Sequence, residues 1–188
     1  MPFVRKFSFS LISTTAAFGL SAALSPARAQ FSGSYAPSNW TTTNVNSNGS
    51  VNTSGAPSSI SITGPDDGSD RAGYIQFTTQ AQRTGSYSFN WTYLTSDGAE
   101  LDYPEFVKNG ISVQFSNFNL SGGNNQSGSQ VYALTAGDTF GFQVFSTDNV
   151  YGAAIVSILN FLYPTGLAYS STLQPYADMQ SIGLDALK

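Results

Sequence analysis

Residues 86–94 read SYSFNWTYL, with Tyr87, Phe89, Trp91 and Tyr93 alternating with Ser88, Asn90 and Thr92. Side chains on a strand point to opposite faces with a period of two. This stretch therefore predicts a β-strand with one aromatic and one polar face. Shorter runs repeat the pattern. SSISIT (58–63) puts Ile60 and Ile62 on one face, and GYIQFTT (73–79) does the same with Ile75 and Phe77. In EFVKNGISVQF (105–115), Ile111, Val113 and Phe115 share a face, and Asn109-Gly110 is a strong short hairpin signal. QVYALTAGDTFGFQVFS (130–146) reads as strand, tight turn at Ala136-Gly137-Asp138, strand, and AAIVSILNFLY (153–163) as an apolar last strand. SGGNNQSGS (121–129) reads as a polar loop. About eight strands follow, enough for an all-β antiparallel sandwich of two sheets over 30–165.

The two ends differ in texture. Residues 1–29 begin with Arg5 and Lys6, continue apolar from Phe7 to Leu24, and close on Ala27-Arg28-Ala29. This is the pattern of a secretory signal peptide, so the mature chain is expected outside the cytoplasm, extracellular, periplasmic or at the cell surface. Its hydroxyl content argues against a membrane span of about 20 apolar residues. No membrane insertion is expected once it is removed. In the tail, 166–188, Pro175 is a candidate helix start, weakened by Gly183.

Removal of the leader leaves four bases against eleven acids, a balance of −7. Nucleic acid as a partner is excluded, since phosphate contacts need clustered Lys and Arg. The chain has no Cys and no His. That removes disulfides, Ser-His-Asp and Cys-His nucleophile systems, and the usual zinc and copper ligands. Carboxylates, hydroxyls, amides, Lys and Arg are what remains for chemistry.

The acids fall in three stretches: GPDDGSD (64–70), TSDGAELDYPE (95–105) and STDN (146–149). YLTSDG and VFSTDN both leave an aromatic-rich strand through hydroxyl residues into Asp and a turn former. If those strands lie side by side, Asp97 and Asp148 meet at one end of the sandwich. Asp97, Asp102, Asp148 and Asn149 are the candidate calcium ligands, because calcium takes six to eight oxygens from carboxylates and carbonyls on loops. The bland alternative is that Asp, Asn and Gly are what β-turns are made of. A third reading is a pair of catalytic carboxylates as in glycoside hydrolysis, which needs one acid buried. The Gly-containing, charge-dense loop argues against that burial, and no catalytic residue is assigned.

The rings of 87–93 read first as core and second as a sugar-stacking platform. Trp40, in SYAPSNWTTTN, and Tyr151 are the better candidates for exposed ligand-contact rings, with Asn124, Asn125 and Gln126 as amide partners.

The stretches YAPSNWTTTNVNSNGSVNTSGAPSSISITGPDDGS, FNWTYLTSDG, NNQSGS, AGDTFGFQVFSTDNVYGAA and VSILNF resemble a domain of exported bacterial proteins, cyanobacterial ones especially, often associated with a C-terminal Pro-Glu-Pro anchor. The resemblance covers about 35–163. It implies a jelly-roll-like β-sandwich, usually without an assigned activity. The tail lacks the Pro-Glu-Pro motif, the apolar helix and the terminal Arg cluster of that anchor. The expected function is a secreted, non-catalytic sandwich for extracellular binding, adhesion or matrix assembly, stabilised by calcium. Its partner would be a glycan, a surface protein or another copy. The alternatives are a carbohydrate-binding module and a small carboxylate-dependent hydrolase or lyase.

Overall fold

The computed structural model describes residues 30–118 and 124–165. The expected signal segment 1–29, the tail 166–188 and its helix start at Pro175 lie outside the described residues. Two 3-10 turns, Gly33–Tyr35 and Pro37–Asn39, precede ten strands. These are β1 (Thr41–Val45), β2 (Ser50–Asn52), β3 (Ser59–Thr63), β4 (Gly73–Gln80) and β5 (Gly85–Leu94). They continue as β6 (Asp102–Lys108), β7 (Ile111–Gln114), β8 (Asn125–Leu134), β9 (Thr139–Ser146) and β10 (Ile155–Leu162).

The strands form two five-stranded antiparallel sheets, ordered β1-β4-β9-β6-β7 and β2-β3-β10-β5-β8. From β3 to β10 the chain changes sheet at every step except the β6–β7 hairpin. That is the jelly-roll winding of an all-β sandwich. β1 and β2 each add an edge strand. Asn109 and Gly110 both take positive φ, 51° and 80°, as the two-residue hairpin turn requires.

Ten strands stand where about eight were expected, and the differences have physical causes. β1 is exposed along its whole length, so it carries no in/out alternation to read. Asn125 to Ser129 belongs to β8 rather than to a polar loop, because β8 is an edge strand whose outward and rim positions face water. β6 runs through Pro104 and starts at Asp102. A proline ordinarily argues against an inner strand. Here the β6–β7 ladder begins only at Glu105, paired with Gln114.

The core is aromatic. Tyr87, Phe89, Trp91 and Tyr93 are buried, as their core reading expects. Phe140, Phe142 and Phe161 face them from β9 and β10. Trp40 joins this core, which overturns its reading as an exposed ligand-contact ring. It is 8% exposed, stacks 5.0 Å from Phe77 and 5.8 Å from Phe142, and donates its indole N–H to the Tyr35 carbonyl at 3.0 Å. Burying such a ring is worth about 2–3 kcal/mol, and the two 3-10 turns fold it over the open end of the sandwich to gain it.

Candidate metal centre

Four loops gather at one end of the sandwich: 46–49, 64–72, 95–101 and 147–154. Backbone hydrogen bonds knit them. Gly68 N–H donates to the Asn149 carbonyl (2.8 Å), Arg71 N–H to Asp148 (2.9 Å) and Thr147 N–H to Leu101 (2.9 Å). Asn149 is the central staple. Fully buried, it donates its amide group to the carbonyls of Asn46 (2.7 Å) and Arg71 (2.8 Å) and its backbone N–H to the Ser146 hydroxyl (2.9 Å).

Each acid arrives by a different route. Asp97 sits in a turn after β5, where its N–H donates to the Thr95 hydroxyl (3.1 Å) and its carboxylate accepts from Gly98 N–H (2.7 Å). Asp148 sits in the turn after β9 and accepts from Val150 N–H at 3.2 Å. Asp102 opens β6 opposite Ser146, the last residue of β9. It is only 1% exposed, so the sequence reading of it as a loop residue is corrected to a buried strand residue. Tyr93 donates its hydroxyl to the Asp102 carbonyl.

The structure brings Asp97, Asp102 and Asp148 together, one carboxylate oxygen from each lying within 4.8 Å of the others. Asp102 is pushed up from 3.8 to about 7. Burial is the main cause. A hydrogen bond from Ser146 opposes it, and the negative charges of Asp97, Asp148 and Asp66 add to it. Arg71 is the sole base on these four loops, and its residue is exposed. Buried oxygens here lack partners: Asp97 Oδ2, Asp102 Oδ1, Asn149 Oδ1 and Thr147 Oγ1. An unpaired buried acceptor costs about 1–3 kcal/mol, more when charged.

This donor set suits a hard cation. It is all oxygen, with no His or Cys in the chain to favour zinc or copper. Opposite ligands of a calcium at 2.3–2.6 Å stand about 4.6–5.2 Å apart, a span that accommodates the observed spread.

The remaining ligand candidates are dispersed. Tyr151 is 80% exposed and sits on the Asp148 turn with a φ of 68°, a left-handed conformation rare for a bulky residue. Its neighbour Gly152 donates to Asp66 Oδ1 at 3.3 Å. Asn124 and Asn125 are exposed at the same end of the sandwich, where the Asn124 carbonyl accepts from Thr95 N–H (2.9 Å). Gln126 bonds both backbone groups of Asn117 (2.8 and 3.1 Å). Trp40 lies at the opposite end of β1. Among the described residues, surface depressions of about 200–580 Å³ elsewhere are lined by amides, hydroxyls and apolar groups rather than carboxylates. Sequence reasoning missed Asp66, which adds to the field at Asp102.

No family model matches the chain, and no curated protein does. Several solved structures are similar to it. A family 35 carbohydrate-binding module from Clostridium thermocellum is 18% identical over 65% of this chain and 92% of that one, with a TM-score of 0.34. The module CBM6cm-2 of Cellvibrio mixtus lichenase 5A, solved with cellotriose, is 12% identical over 72% and 95%, with a TM-score of 0.34. The N-terminal cellulose-binding domain of Cellulomonas fimi β-1,4-glucanase C is 14% identical over 70% and 92%, with a TM-score of 0.39.

Proposed function

We propose that this chain is a non-catalytic extracellular binding sandwich whose loop end is locked by one calcium ion. The carrying observation is the triad Asp97, Asp102 and Asp148, with buried carboxylate oxygens that have no partner. Three carboxylates within 4.8 Å, one of them buried and two half-buried, repel one another, and a divalent cation turns that repulsion into attraction. The ion would tie the turns after β5 and β9 to the start of β6 and so fix the loop that presents Tyr151. A hydrolytic reading has less support: among the described residues, Asp97 and Asp102 do not line the depressions described above. The test is thermal unfolding of residues 30–188 in calcium and in excess chelator. A ligand of the folded state at a hundredfold excess over its Kd stabilises by about 2.7 kcal/mol. A calcium-dependent rise in Tm, lost in Asp97→Ala, supports the reading, and identical midpoints would reject it.

A further inference from the structure

The outer face of the sheet β2-β3-β10-β5-β8 is uncharged from edge to edge. Strand register aligns its outward side chains in rows across the sheet. One row runs Asn52, Ser61, Ser157, Thr92, Ser127. The row on one side is Ser59, Leu159, Asn90, Ser129, and on the other Ser50, Thr63, Ile155, Leu94, Asn125. No Asp, Glu, Lys or Arg stands in any of the three.

Three depressions lie on this face, each sharing a lining residue with its neighbour. One of about 200 Å³ shares Ser157 with one of about 240 Å³, which shares Thr92 with one of about 500 Å³. The largest is bordered by Asn90, Ser127, Ser129, Leu159 and Asn160. Asn160 sits where the register of β10 against β5 shifts, with a φ of 48°. A bulge of this kind re-aims a side chain and recurs beside functional sites. Here it places an exposed amide at the rim of the trough.

We infer that this trough is a binding groove for a neutral, polyhydroxylated chain, that is, an uncharged glycan. The inference rests on the binding-module reading above and names its ligand class. Amides and hydroxyls supply both donors and acceptors for sugar hydroxyls. Leu94, 53% exposed, and Ile155, 42% exposed, offer apolar contact for the C–H faces of sugar rings. The lack of any base turns away nucleic acid and other polyanions. The lack of exposed aromatic, Met or Arg anchors disfavours a second protein or a second copy.

The test screens the mature chain on immobilised neutral gluco-, galacto-, xylo- and manno-oligosaccharides, with uronic-acid and sulfated glycans as the counter-screen. Trp91, beneath the 500 Å³ depression, reports binding by fluorescence. Two variants follow: Thr92→Lys, which charges the middle of the trough, and Asn160→Gly, which removes the amide and relieves the left-handed backbone. We expect neutral-glycan binding, weakened at least tenfold in each variant. Cooperative thermal unfolding and a native-like circular dichroism spectrum, in chelator as in calcium, would show that both still fold. Binding to no neutral glycan, equal binding of anionic ones, self-association through this face, or undiminished affinity in both variants would overturn the inference. A chain that binds glycan without responding to calcium would reject the calcium lock and leave the groove standing.

Discussion

Replacing Asp102 by Asn should change the sign of its effect with calcium. In chelator, the native carboxylate is a liability. Burial and the charges of Asp97, Asp148 and Asp66 raise it from 3.8 to about 7, against a hydrogen bond from Ser146. A group raised in this way favours the fold below its ordinary value and loses that contribution as pH rises through about 7. At pH 8 the loss is complete. The rise of about three pH units, at about 1.36 kcal/mol each, sets a ceiling of about 4 kcal/mol on what Asn relieves. At about 2–4 °C per kcal/mol the ceiling is about 8–16 °C, and relaxation of the metal-free loops keeps the gain below it. In calcium the reverse holds, because Asn removes a charged ligand from the ion. Differential scanning fluorimetry at pH 8 is the assay, with both proteins in chelator and in millimolar calcium. We expect Asp102→Asn to melt several degrees higher than the native chain in chelator and to gain nothing from calcium. A variant that melts lower in chelator, or that gains as much from calcium as the native chain, would refute the electrostatic account.

Tyr87→Phe removes a buried hydroxyl that donates to the Arg83 carbonyl (2.8 Å) and pairs with the Tyr35 hydroxyl (2.8 Å). The stranded partners should cost about 1–3 kcal/mol, read as a lower midpoint in urea with an unchanged m-value. Gly141→Ala would place a Cβ 2.1 Å from the Phe77 carbonyl oxygen, backbone that cannot yield locally. It should destabilise by about 3 kcal/mol or more, seen as lost soluble yield or a much lower Tm. Asp138 accepts hydrogen bonds from Asn109 (2.9 Å) and Thr135 N–H (2.8 Å) and pairs with Lys108 (3.2 Å), and these contacts lower it to about 2. A lowered carboxylate contributes above its ordinary value and loses that contribution as pH falls toward 2. Asp138→Asn should therefore flatten acid unfolding between about pH 4 and 2 and lower stability at pH 7, followed by circular dichroism.

The parts of this fold that were legible are those where one face is wet and the other dry. β3, β4 and β5 announced themselves because Ile60, Ile62, Ile75, Phe77 and the four rings of 87–93 all point inward. The edge strand β1 and the first half of β8 face water along their length, and nothing in their composition separates them from loop. At the acidic end, Asp97 and Asp148 were legible as a pair because both leave a strand through hydroxyl residues into a turn, although β5 and β9 lie in different sheets rather than side by side. Asp102 was legible as a candidate ligand but not as a buried strand residue, since Pro104 reads as a strand breaker and a carboxylate is the least expected inward residue. That mismatch is informative. A chain with few charged residues has placed a carboxylate in a dry strand position beside three others, against every local preference. Local rules are broken in this way at functional or strained sites, and the unpartnered oxygens of Asp97 and Asp102 are why the calcium proposal is placed here. The neutral trough was hidden for the opposite reason. Ser, Thr and Asn look like filler until strand register lines them up across five strands, and register is a property of the fold rather than of any one segment.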